Sequence, residues 1–213
     1  MNMRSDSDLT TRARIRDAAI ATFGDQGFAV GVRTIAEAAG VSPGLVNHHF
    51  GSKDGLRAEC DAFVLEAIRR SKSDFMHNSS SANFLAALAE VESFAPLIAY
   101  LVRSFQAGGN LAAHLFNDMV ANAETYMQEG VDAGLIRPSR NPKARARYLA
   151  LVGGGGLMLY LQLKAAEGPI DYRQALQDYT REVMGPSLEI YTEGLITDPR
   201  LLETWQSQQA KEE

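Results

Sequence analysis

Cysteine is nearly absent from this chain of 213 residues. Cys60 stands alone, so no intramolecular disulfide can form, and a reducing, cytoplasmic setting is expected. Metal-ligand spacing is missing too. His48 and His49 are adjacent and would point about 100° apart on a helix. His77 and His114 are isolated, so neither a metal nor a cofactor is expected. No signal peptide is visible, because Arg4, Asp6, Asp8, Arg12 and Arg14 charge the start of the chain. The most apolar run, Leu149 to Leu161, covers 13 residues. A bilayer span needs about 20, so a buried helix and no membrane partner are expected. Catalytic constellations are lacking as well. Cys60 has no local partner signature, no serine sits in a nucleophile elbow, and Gly153 to Gly156 is not followed by the Lys-Ser/Thr of a phosphate loop. An enzyme is therefore not expected, since even a helical one needs a convergent reactive set.

What is present is an ordinary globular composition, 46% hydrophobic and 22% charged. Strand-like alternation is scarce and helical periodicity runs nearly throughout, so the expected class is all-α. The net charge of −5 is unevenly spread. Residues 9–57 hold six Lys/Arg against four acids, whereas residues 58–213 hold fourteen against twenty. That places the positive charge at the N-terminal end.

Residues 1–8 read as a polar arm. A first helix from Thr10 to Gly27 carries one apolar stripe of Ile15, Ala18, Ala19, Thr22 and Phe23, with Gly24 and Gly27 loosening its end. A short helix, Arg33 to Ala39, is stopped by Gly40. Ser42 and Pro43 suit the N-cap and first position of a third helix, which reaches Phe50; Ser52 can cap a fourth beginning at Lys53. Further helices are expected at 53–73, 83–93, 96–106, 111–133, 142–166 and 172–194, with a frayed tail after Pro199 from which Trp205 can dock.

Two short helices joined by Gly40-Val41-Ser42 fit a helix-turn-helix, or an ordinary αα corner. With Val46 facing the core, Phe50 falls on the same side at about 40° and Gly44 and His48 within about 20° of the opposite side. Leu45 and Asn47 flank them, so no charged residue lies on the outward face. A glycine for close approach, an amide and an imidazole to hydrogen-bond, and an aliphatic to meet a thymine methyl suit the DNA major groove. Lys53, beside free helix N–H groups, suits a phosphate.

The run Thr34-Ile35-Ala36-Glu37-Ala38-Ala39-Gly40-Val41-Ser42-Pro43-Gly44-Leu45-Val46-Asn47-His48-His49-Phe50-Gly51-Ser52-Lys53-Asp54-Gly55-Leu56 resembles the signature of the tetracycline-repressor (TetR) family. The resemblance covers about residues 10–60. It implies a homodimer with an N-terminal three-helix helix-turn-helix domain (1–57) and a larger C-terminal helical ligand-binding and dimerisation domain (58–213). It implies a repressor of a double-stranded DNA operator released by a small-molecule effector; control by a protein partner is the alternative. By position, Arg33, Thr34, Pro43, Gly44, Leu45, Asn47, His48 and Lys53 would contact or line the DNA. The chain departs from the family pattern at Gly31, where a Thr or Ser cap is usual, at Leu45, usually Thr, and at Asn47, usually Tyr.

The helices around 142–166 and 172–194 are the expected dimer face. Gly153 to Gly156 serve close helix contact, either there or within one subunit. Candidate ligand-lining residues are Phe63, Tyr100, Phe105, Phe116, Asn117, Met119 and Tyr126, with Phe94, His114, Tyr160 and Gln162 beside them. A helical aromatic stripe is equally the pattern of a filled core.

Overall fold

In the computed structural model the backbone of residues 6–78 and 80–212 is described, with side chains over 10–78 and 80–208. Among the described residues ten α-helices follow one another: α1 (Asp6–Gln26), α2 (Val32–Ala38), α3 (Pro43–Phe50), α4 (Lys53–His77), α5 (Ser81–Ala89), α6 (Ala95–Ala107), α7 (Gly109–Asp132), α8 (Pro142–Glu167), α9 (Tyr172–Glu193) and α10 (Arg200–Glu212). No strand occurs among the described residues, so the chain is all-α.

Several boundaries differ from the sequence reading. Residues 6–8 of the expected arm belong to α1, and residues 1–5 lie outside the described residues. The single helix expected over 83–93 is split: α5 ends at Ala89, and a 3₁₀ turn, Val91–Phe94, leads into α6. Pro96 sits in the first turn of α6, where its missing N–H costs nothing. The tail after Pro199 is helical, its first turn held by the Asp198 carboxylate, which accepts from the Arg200 N–H at 3.0 Å.

One core joins the first four helices to α6 and α7. Ile15 and Phe23 of α1, Ile35 of α2, Val46 of α3 and Leu56 and Val64 of α4 meet Tyr100 of α6, all essentially buried. Each such side chain contributes about 1.5–3 kcal/mol of transfer free energy. α4 runs unbroken through residues 57 and 58. Gly24 lies inside α1 and has a packing role rather than a loosening one: a Cβ there would stand 3.0 Å from the Ala99 Cβ of α6. From α6, the Arg103 guanidinium donates to the Gly24 and Asp25 carbonyls at 3.1 and 2.9 Å. It thereby satisfies carbonyls that the last turn of α1 leaves free.

The long C-terminal helices are more loosely covered. α8 packs on α7 around Val120, Ala123 and Ala146, and on α9 around Leu161 and Ala175. With 26 residues and a mean hydropathy of 1.3 over its apolar window, α8 is long and apolar enough to cross a membrane by length and composition. The uninterrupted run Leu149 to Leu161 is shorter than a span, and the flanking turns of α8 supply the rest of that length. Little of that window is buried within the chain. Tyr148, Leu151, Val152, Leu159 and Leu163 of α8 and Leu188, Ile190 and Tyr191 of α9 are exposed.

Candidate nucleic-acid interface

The turn between α2 and α3 is set by Gly40, whose φ of +64° an L side chain rarely adopts. Val41 N–H then donates to the Ala36 carbonyl at 2.9 Å and closes the corner. Ser42 Oγ accepts from the Leu45 N–H at 3.2 Å and Pro43 occupies the first turn, as their residue types suggest. Ser52 repeats the device at α4, accepting from the Gly55 N–H at 3.0 Å. α2 begins at Gly31 without any side-chain cap.

This framework orients α3. Val46 is 1% exposed and faces Ile35 and Leu56 in the core. Pro43, Gly44, Asn47 and His48 are exposed on the other side, with Leu45 half-buried at the flank. Arg33 is exposed and Thr34 half-buried at the start of α2. A short helix thus presents a glycine, an amide and an imidazole outward, held by two caps and a core anchor. That face is of a size and chemistry to enter a major groove.

The cations are arranged differently from what charge counting suggests. Four of the six at 9–57 are engaged within the protein. Arg12 donates to the His49 carbonyl and pairs with Glu59, both at 2.6 Å, and lies over the Phe50 ring at 4.4 Å, so one guanidinium ties α1, α3 and α4 together. Arg16 lies 3.4 Å from the Phe63 ring centre and pairs with Asp17. Arg57 lies 3.6 Å from the Phe28 ring centre. Lys53, expected at a phosphate, donates to the Phe28 carbonyl at 2.6 Å and is half-buried. Arg14 and Arg33 are exposed and form no ion pair with a described residue. The missed signal lies in Glu59 and Phe28, either of which can take up a cation before DNA does.

The interior beneath α4 holds two perturbed acids. Asp61 accepts from the Tyr100 hydroxyl at 2.7 Å, yet burial raises its carboxyl above the ordinary range. Burial, and next Asp61, push the Cys60 thiol up to about 12, which leaves it protonated and unreactive. On the surface of α4, Arg69 and then Arg70 hold Glu66 down to about 2.

A groove of about 980 Å³ lies against α4, between α1 and α5, with Phe63, Phe75 and Phe94 among its walls. Of the residues expected to line a ligand pocket, it brings together Phe63 and Phe94. Tyr100 is instead a core residue with no exposed surface, wedged against Phe23 and Phe28. Phe105 packs on the same core. Phe116 and Tyr126 pack where α7 meets α8, the former under Arg147. Met119 is half-buried on α7, and Asn117, His114 and Gln162 are exposed. Tyr160 meets Tyr179 with ring centres 5.2 Å apart and the rings tilted by 56°.

Residues 15–60 match the family model described as bacterial regulatory proteins, tetR family, and residues 92–197 match the tetracyclin repressor-like, C-terminal domain. The chain is 57% identical to the HTH-type transcriptional regulatory protein RaaS of Mycobacterium tuberculosis, over 95% of this chain and 94% of that protein. It is 52% identical to the HTH-type transcriptional regulator BetI of Rhizobium meliloti across 46 residues, 21% of this chain and 23% of that one. Among solved structures it resembles one described as the molecular basis for control of antibiotic production by bacterial hormones, with TM-score 0.55 and 26% identity, covering 85% of this chain and 97% of that one. It also resembles the TetR-family regulator PfmR of Thermus thermophilus, with TM-score 0.51 and 19% identity, covering 86% and 99%.

Proposed function

The chain belongs to the TetR family of helix-turn-helix transcriptional regulators, which are not enzymes, and from that premise we propose that it is a repressor released from DNA by a small molecule. As a homodimer it binds a pseudo-palindromic double-stranded operator in the cytoplasm. Residues 1–57 read the DNA, and residues 58–213 sense the effector and dimerise. The observation that carries the reading is the outward face of α3: exposed Gly44, Asn47 and His48 opposite buried Val46. In this reading Arg33, Thr34, Pro43, Leu45 and Lys53 flank those contacts, with Arg33 and Lys53 beside phosphates.

The exposed apolar band on α8 and α9 supports dimerisation through 142–166 and 172–194. A Cβ at Gly153, Gly154 or Gly155 would meet nothing within 4 Å, so packing inside one subunit does not call for these glycines. A second copy brought close does. The groove at Phe63 is a suitable place for an effector, because it borders Arg16 of α1 and residues of α4.

Selection of bound genomic DNA followed by footprinting tests the proposal. Two half-sites about 34–36 Å apart are expected; a single unpaired site would overturn the dimeric reading of the operator. A thermal-shift screen covers the effector. A compound that raises Tm and also releases the DNA is expected, whereas release only by an added protein would favour control by a protein partner.

A further inference from the structure

α10 is a helix with an apolar stripe and almost nothing beneath it. Leu201, Leu202 and Trp205 are 63%, 59% and 60% exposed, and on a helix they share an arc of about 100°. Beyond the Arg200–Asp198 pair at its start, the side-chain tie from the described residues of α10 to the rest of the chain is a hydrogen bond from the Arg140 guanidinium to Gln206 Oε1, at the surface. A helix of 13 residues is marginal on its own in water, and one exposed hydrogen bond does not change that. Something else must cover the stripe.

Two observations point to a second copy of this chain. First, the stripe follows an exposed apolar band along the chain. Arg140 stands just before α8, whose exposed Tyr148, Leu151 and Val152 follow, and exposed Leu195 and Ile196 lead from α9 into α10. The Arg140 contact already brings α10 to its own subunit, and the stripe stays bare. Second, charges of opposite sign there have no ion partner among the described residues. Arg137, Arg140 and Lys143 form no ion pair with a described residue, and neither do Glu189, Glu193 or Glu203, whereas Arg145 and Arg147 turn inward to the Arg137 carbonyl and the Phe116 ring. A two-fold axis presents each patch to its complement in the other copy.

We propose that α10 is a clamp that crosses the dimer, seating Trp205 in the apolar band of the partner subunit. The inference rests on the homodimer proposed above. Trp205 is the single tryptophan of the chain, so its fluorescence reports this contact alone. Sedimentation equilibrium and tryptophan emission are measured on the full chain over one dilution series. The expected result is blue-shifted, quencher-protected emission in the dimer that turns red and quenchable as the dimer dissociates. A dimer whose emission is that of an exposed indole throughout overturns the clamp and leaves the dimer standing. Protected emission in the monomer also overturns it, since α10 then docks on its own subunit. A chain that is monomeric at every concentration overturns the dimer and the clamp together. In a second arm, the double variant L201A/L202A keeps the reporter and raises the dimer dissociation constant roughly tenfold or more. An unchanged constant overturns the clamp.

Discussion

The Lys53 ammonium donates to the Phe28 carbonyl at 2.6 Å, pinning the start of α4 to the segment between α1 and α2. An ammonium carries three donors, so one bond to a carbonyl leaves it able to meet a phosphate. Lys53→Ala should weaken binding to all DNA sequences and lower the slope of log K against log salt by about one unit, with a lower Tm as well. Binding isotherms over a salt series decide the point. An unchanged slope beside a lowered Tm would make Lys53 an internal tie alone.

Asn47 and His48 should behave differently. Their exposed side chains face where base edges would lie, so Asn47→Ala and His48→Ala should each relax preference at a base position, by about 1–3 kcal/mol. The salt slope should hold. Selection from a randomised operator measures this, and a preference unaltered in both variants would mean that α3 does not read the sequence.

Glycines at two places should respond with opposite signs. A Cβ at Gly55 would collide with the Phe50 carbonyl oxygen, where α3 hands over to α4. Gly55→Ala should cost about 1–3 kcal/mol of stability. At Gly154 a Cβ meets open space in the subunit. Gly154→Ala should favour α8 by up to about 1 kcal/mol yet weaken self-association. Denaturant melts and sedimentation separate the effects. If Gly154→Ala left dimerisation intact, these glycines would not lie at the interface.

The Asp61–Tyr100 pair predicts a pH dependence. Burial raises the folded carboxyl above its ordinary 3.8. Stabilisation from this group is therefore full below 3.8 and lost as pH rises through the raised value. Asp61→Asn keeps an acceptor for Tyr100 without a buried charge. It should flatten that part of the stability curve and match or exceed the parent at neutral pH. Tyr100→Phe strands the carboxylate and should cost about 1–3 kcal/mol. Melts from acid to neutral pH compare the three chains, and parallel curves would count against this account.

The three-helix unit was legible because its signals are local. Gly40, Ser42-Pro43 and Ser52 act on backbone within a few residues, and the 100° step then decides that Val46 and His48 face opposite ways. The cations and the groove were not legible. Whether Arg12 meets a phosphate or Glu59 depends on residues 47 positions apart, and no local pattern carries that distance. The helix that bears Trp205 is not legible either, since a polar tail with one apolar stripe reads as frayed unless its surroundings are known.

By itself, then, the sequence determined the helical class, the corner between α2 and α3, the outward set on α3 and the family, because turn chemistry and periodicity are short-range. The tertiary structure decided which cations stay inside, that Tyr100 fills a core instead of lining a cavity, and which faces of α8, α9 and α10 are left bare. Those outcomes depend on which side chains distant helices bring together, and burial is a property of the packed chain.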